Sequence, residues 1–197
     1  MHDDGAGHPA GAGTRLAGVT TARVLDVTGT VVRLGLAAVW LVSGSLKITD
    51  PIGSAIAVGA YDVLPGEAVG LVATVLPLLE LALGVLLLAG IGTRLAGLVS
   101  AVLLAGFVSG LLQAWARGLS IDCGCFGGGG PVAPGQERYG VTLLRDLGFL
   151  ALALWLSVRP RTLLAVDRIW DPAPAGGPGT GDRTSGRRAP AGAEGDR

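Results

Sequence analysis

Two cysteines stand one residue apart, Cys123-Gly124-Cys125, and they are the only cysteines among 197 residues. They lie in the run Asp122-Cys123-Gly124-Cys125-Phe126-Gly127, and glycine continues through Gly130. A disulfide between residues i and i+2 closes a very small ring, in which the preferred Cα separation and S–S dihedral are hard to reach. The intervening glycine relaxes the backbone limits. Strained, exposed disulfides are readily reduced and tend to be catalytic or regulatory. The pair is therefore a candidate thiol–disulfide exchange site, complete in itself or completed by a partner's cysteines. Two other readings stay open: a structural thiol pair, and part of a metal site. Free thiols on an oxidising face are unstable, which weighs against idle cysteines. Zinc usually takes about four N/S ligands, and the two histidines, His2 and His8, sit in the N-terminal tail. No metal is expected.

Five more residues could take part in such chemistry. Glu80 falls inside a long apolar block. An ionisable side chain there costs at least about 2.5–3.5 kcal/mol on insertion scales, so it should face the bundle interior, paired or neutral. It reads as a proton relay, a quinone-facing acid or a solute-site residue, or simply as an interhelical hydrogen bond. Lys47 ends the first apolar block, and Arg145 and Asp146 begin the last. A Lys47–Asp146 or Arg145–carboxylate pair is expected there, with Asp122 as a further carboxylate beside the cysteines. A cation near Cys123 or Cys125 lowers a thiol pKa and favours the reactive thiolate. A plain ion-pair cluster or interface anchor is the alternative for this group.

The elements that must position these residues are hydrophobic. Half of the chain is hydrophobic and 15% is charged, against about a quarter charged in soluble domains. Zero formal net charge supplies no basic field for nucleic acid. The apolar residues come in four blocks, at 29–48, 68–91, 95–115 and 141–158. Each approaches the roughly 20 residues needed to cross about 30 Å of hydrocarbon. The fold class is all-α: a polytopic membrane protein, a four-helix transmembrane bundle in contact with lipid, with a short interfacial helix between spans 1 and 2. That helix starts at Asp50-Pro51, an N-cap followed by proline at the first helical position. Ile52, Ile56, Ala60 and Val63 share one of its faces. Ser43, Gly44 and Ser45 are small enough for a close helix contact, and Arg33 can snorkel to the nearer interface.

Residues 1–27 read as a disordered N-terminal tail, 28–160 as the membrane domain, and 161–197 as a disordered Pro/Gly/Arg-rich tail. The start does not read as a signal peptide. The loop at 116–140 carries the cysteines, and its glycines and prolines argue against regular structure. Four spans place both termini on one side. Seven basic residues flank that side (Arg15, Arg23, Arg33, Arg94, Arg159, Arg161, Arg168) against four on the other (Lys47, Arg117, Arg138, Arg145). The positive-inside rule then puts both termini in the cytoplasm and the Cys123/Cys125 loop on the outer face of the cell membrane, where disulfides persist.

Several blocks in order resemble the MauE/DoxX group of redox-associated membrane proteins. They are Leu41-Val42-Ser43-Gly44-Ser45-Leu46-Lys47 with Asp50-Pro51, then Tyr61-Asp62-Val63-Leu64-Pro65, then Pro77-Leu78-Leu79-Glu80-Leu81-Ala82-Leu83-Gly84, and the Asp122–Gly127 run, with Arg145-Asp146 opening the last span. The resemblance spans about residues 28–160. It implies a four-helix bundle similar in plan to disulfide-generating proteins of the DsbB and vitamin K epoxide reductase type. It also implies a role in maturation of a disulfide-rich exported protein in methylamine utilisation. Cys123 and Cys125 would then exchange disulfides with a thioredoxin-like or disulfide-containing exported partner. The chain has one cysteine pair where the DsbB type has two. The resemblance leaves open a thiol–disulfide oxidoreductase or an accessory maturation factor. A DoxX-like quinone-linked subunit is the enzymatic rival, with quinone as its cofactor, and a structural or solute-handling bundle is the other.

Overall fold

The computed structural model describes residues 11–159, with side chains described from residue 23. The chain forms α1 (Gly11–Thr49), α2 (Pro51–Ala60), α3 (Gly66–Ala89), α4 (Thr93–Ala116), β1 (Ile121–Asp122), β2 (Gly130–Pro131) and α5 (Tyr139–Val158). Four segments are long and apolar enough to cross a membrane: Arg23–Thr49, Gly66–Ala89, Thr93–Ala116 and Tyr139–Val158. At about 1.5 Å per residue, even the 20-residue α5 reaches the roughly 30 Å of a hydrocarbon core. The protein is thus a four-span helical bundle with one short helix, α2, between the first two spans.

α1 starts earlier than the sequence suggested. Residues 11–27, read as tail, continue the helix in the structure. No proline interrupts them, and Leu16, Ala17, Ala22, Arg23 and Leu25 are good helix formers. The expected tail at 161–197 lies outside the described residues, as do residues 1–10 and 160.

The closest helix pairs are α1 with α3 and α4 with α5. Small residues let α1 and α3 approach: a Cβ on Gly84 would come within 2.6 Å of the Leu41 side chain, and one on Gly44 within 2.9 Å of the Pro77 carbonyl. The core is built by Leu36, Trp40, Leu83, Leu87, Leu104 and Leu156, and Trp40 Nε1 ties α1 to α4 by donating to Ser100 Oγ at 2.9 Å. Leucines and valines on the outer faces stay exposed, among them Leu71, Val102 and Leu144, as lipid-facing positions should.

Arg33 does not snorkel to an interface. It is buried and donates from Nη1 to the carbonyls of Leu87 (3.0 Å) and Leu88 (3.4 Å). Those carbonyls belong to the last turn of α3, where acceptors have spare capacity beyond the cap (Leu87 O also takes the Gly90 N–H, 3.2 Å) and the dipole favours a cation. The other end of the bundle holds the α1–α2–α3 link and the α4–α5 loop together. There α2 turns Ser54 and Ala57 inward, and Ile52, Ile56 and Val63 are exposed. The expected apolar face of α2 thus points outward. Small residues face the bundle because the cysteine loop packs directly against them.

Candidate functional site

The cysteine loop is more ordered than its composition suggests. β1 and β2 pair antiparallel, Ile121 with Pro131 and Asp122 with Gly130, and Val132 N–H donates to Ser120 O at 2.8 Å. This short ladder closes the glycine-rich segment into a compact hairpin. The Gly124 N–H reaches Asp122 Oδ1 at 3.4 Å, so Asp122 helps shape the turn between the two cysteines, as short polar side chains do. Gly124 is required there. Its φ is +66°, and a Cβ would sit 3.0 Å from both Ala57 Cβ and Gly128 O. At the loop's base Tyr139, first residue of α5, donates its hydroxyl to Leu119 O and accepts from Ile121 N–H at 3.3 Å. Trp115 stacks on the same ring at 5.9 Å. The last turn of α4 and the first of α5 therefore grip the loop between them.

Both thiols are free and partly buried. Arg145 Nη2 donates to Cys123 Sγ at 3.7 Å. The guanidinium also meets Asp146 Oδ1 at 2.9 Å and lies over the Phe126 ring, 4.8 Å from its centroid. The Cys123 thiol is lowered to about 6. The largest cause is a hydrogen bond from the Cys125 thiol, followed by one from the Cys125 backbone N–H and by the Arg145 guanidinium, all against the opposing effect of burial. Cys125 moves the other way, well above an ordinary thiol, because it donates to Cys123 and is buried. At neutral pH the pair therefore holds one thiolate, on Cys123, and one proton, on Cys125. Tyr61 faces both. Its hydroxyl reaches Cys123 O at 3.5 Å, and burial with the nearby cysteine charges pushes its pKa up, so it remains a neutral donor.

A second group of polar residues lies beneath Cys125. Ser43 Oγ is 2.7 Å from Cys125 O and 3.0 Å from Glu80 Oε2. Lys47 Nζ donates to Ser43 Oγ at 2.8 Å and to Glu80 Oε1 at 2.6 Å. Glu80 is fully buried and the Lys47 side chain nearly so. The serine has a single hydroxyl hydrogen, so it serves either Glu80 or the Cys125 carbonyl at one time. Ser43 lies more than one turn inside the end of α1, so the loop dips into the bundle. Irregular backbone at membrane depth is tolerated only where protein or a cavity surrounds it, and here α1, α2 and α5 do so.

A cavity of about 190 Å³ opens beside the dithiol. Cys123, Gly124 and Cys125 form one wall. The other walls come from Lys47, Ala57 and Tyr61, from Ala73 and Pro77 of α3, and from Gly106 and Phe107 of α4.

The seven candidate site residues, Cys123, Cys125, Glu80, Lys47, Asp122, Arg145 and Asp146, all lie in or near this site; of the two pairings expected, Arg145 with a carboxylate forms and Lys47 with Asp146 does not. Lys47 meets Glu80, not Asp146. Glu80 and Lys47, read as separate groups at different depths, form one buried pair, because Lys47 points inward along α1 toward the carboxylate. Arg145 takes Asp146, its own neighbour, as its carboxylate. The sequence reading missed Ser43 as a polar link, the Tyr139 anchor and Tyr61. The aromatic pair Trp115 and Tyr139, one at each end of the loop, was the available signal. Among the described residues no group of three or more His, Cys, Asp or Glu is placed to hold a metal.

No curated protein and no solved structure matches the chain. The sequence model of a family described as methylamine utilisation protein MauE matches residues 25–159, which takes in the cysteine loop, the last three spans and all but the first two residues of the first. The chain therefore belongs to the MauE family, as a multi-pass membrane protein.

Proposed function

We propose that Cys123 and Cys125 are an exchanging dithiol, and that this protein supports the maturation of disulfide-containing exported proteins in methylamine utilisation. The observation that carries the reading is the unequal setting of the two thiols: a cation and donors on Cys123, burial and a retained proton on Cys125. The thiolate is the nucleophile in exchange. Cys123 Sγ attacks one sulfur of a partner disulfide, forms the mixed disulfide and releases one partner thiolate. Cys125 then loses its proton and attacks Cys123 Sγ. The second partner thiolate leaves and the Cys123–Cys125 bond closes, so two electrons pass from the loop to the partner. The same bonds run in reverse to oxidise a partner dithiol. The partner is a thioredoxin-like or disulfide-containing exported protein. It meets the loop on the outer face, with both termini of this chain in the cytoplasm, as the arginine distribution favours.

Labelling intact cells with a membrane-impermeant thiol reagent, before and after mild reduction, tests the sidedness and the redox state together. Labelling only after reduction supports an outward-facing, reducible disulfide. Cys125→Ala should then accumulate mixed disulfides through Cys123, whereas Cys123→Ala should not. Full labelling without reduction, with no trapped partner, would remove the exchange reading.

A further inference from the structure

The chain has two cysteines, so a dithiol left at Cys123/Cys125 after oxidising a partner has no second internal pair to receive its electrons. The cavity on its inner side supplies a place for an acceptor. We infer that this cavity binds the ring of a quinone, entering from the bilayer, which reoxidises Cys123 and Cys125. The inference rests on the exchange reading and names its electron acceptor.

Four observations bear on it. Size comes first. An apolar cavity of about 150 Å³ holds benzene, and drug-sized ligands need about 300–1,000 Å³. At about 190 Å³ this site takes one substituted ring, and any long tail must stay outside. Second, apolar side chains make up most of the wall, including Ala57, Leu76 and Phe107, which suits a lipid-soluble ring and not a charged nucleotide acceptor. Third, the wall includes two polar hydrogen donors suited to ring carbonyls. Lys47 has three N–H donors; Glu80 and Ser43 take two, and Nζ lies 5.7 Å from the Phe107 ring on the cavity wall. Tyr61 keeps its hydroxyl hydrogen, engaged only in a long 3.5 Å contact with Cys123 O that a ring carbonyl can replace. Fourth, the mouth faces lipid: Gly106 in the middle of α4 both lines the cavity and is exposed.

The step balances within these groups. The Cys123 thiolate and the Cys125 thiol give two electrons and form one S–S bond. The ring takes those two electrons, the Cys125 proton and one proton from water, and its two carbonyls become hydroxyls.

Gly106 offers a test away from the cysteines. Nothing lies within 4 Å of a Cβ built on it, so Gly106→Leu can fold while its side chain fills the mouth. The probe is duroquinone, whose fully substituted ring does not add thiols, mixed anaerobically with the reduced full-length chain in lipid nanodiscs. Wild type should reduce one equivalent per chain, with a rate that saturates in quinone and with Cys123 and Cys125 ending as a disulfide. Gly106→Leu should slow the reaction at low quinone by about tenfold, the loss expected when a site is overfilled, and Gly106→Ala should do so less. Exchange of both variants with glutathione disulfide should stay at the wild-type rate. Exchange without quinone reduction, or a rate linear in quinone and untouched by Gly106→Leu, overturns the cavity as the acceptor site and leaves the exchange reading standing. Failure of the folded wild type in both assays overturns both.

Discussion

Two ion pairs flank the dithiol, and they do different work. Lys47–Glu80 joins α1 to α3 deep in the bundle, at 2.6 Å and with Glu80 fully buried. Arg145–Asp146 joins neighbours on a single helix, and its guanidinium is about one-third exposed. The first pair meets the loop backbone through Ser43, at the Cys125 carbonyl, and the Lys47 charge opposes, without overcoming, the rise of the Cys125 thiol. The second reaches the Cys123 sulfur directly. One therefore holds the loop in place, and the other adds a cation to the hydrogen bonds from Cys125 that stabilise the Cys123 thiolate. The lesson is that two cysteines one residue apart can be made chemically unequal when one donates its hydrogen bond to the other, a cation sits beside the acceptor, and the donor is the more buried of the two.

The contrast can be broken from either side. Lys47→Met leaves Glu80 buried without its cation. Removing one partner of a buried pair typically costs about 3–5 kcal/mol, so thermal unfolding in detergent should show the largest loss of any single change here. Partial recovery in Lys47→Met with Glu80→Leu would show that the lone carboxylate causes the damage. Arg145→Gln should leave the fold nearly intact and raise the Cys123 pKa from about 6 part of the way toward the ordinary value of about 8.5. Cys125→Ala removes the larger cause and should raise it further. The pH profile of iodoacetamide alkylation at Cys123 reads both shifts. Ser43→Ala leaves the Cys125 carbonyl without its hydroxyl donor at a cost of about 1–3 kcal/mol, visible as faster hydrogen exchange in the loop. Arg117→Ala breaks the exposed Arg117–Asp62 pair and should change stability by no more than about 1 kcal/mol. A large effect there would mean that the α2–α3 link is held more weakly than its packing suggests.

The spans were legible because hydrocarbon thickness imposes a length on an apolar block, and the blocks here are nearly free of charge. Asp50-Pro51 was legible as a helix start for local reasons: Asp50 Oδ1 does accept from Gly53 N–H, at 2.9 Å. The Lys47–Glu80 pair was not. Counting residues along each helix gives a depth for each side chain but not the axial offset between helices, and a lysine's long stem can turn inward as readily as out. Arg33 escaped for a related reason. An arginine near a helix start reads as an interface anchor, and only the fold shows that it lies against the carbonyl end of α3. The hairpin of the cysteine loop was hidden by glycines that look like disorder. Several of them allow the left-handed backbone and the close crossing of Gly124 on Gly129.

The most direct test of the unequal dithiol is the alkylation rate of each cysteine, resolved by mass spectrometry, in the reduced wild-type chain between pH 5 and pH 9. A lowered pKa means that the thiolate is present above it and lost as the pH falls through it. Cys123 should therefore react at half its maximal rate near pH 6 and reach a plateau by neutrality, with Cys125 slow across the whole range. Two superimposable profiles, each rising near the ordinary thiol value of about 8.5, would contradict the account.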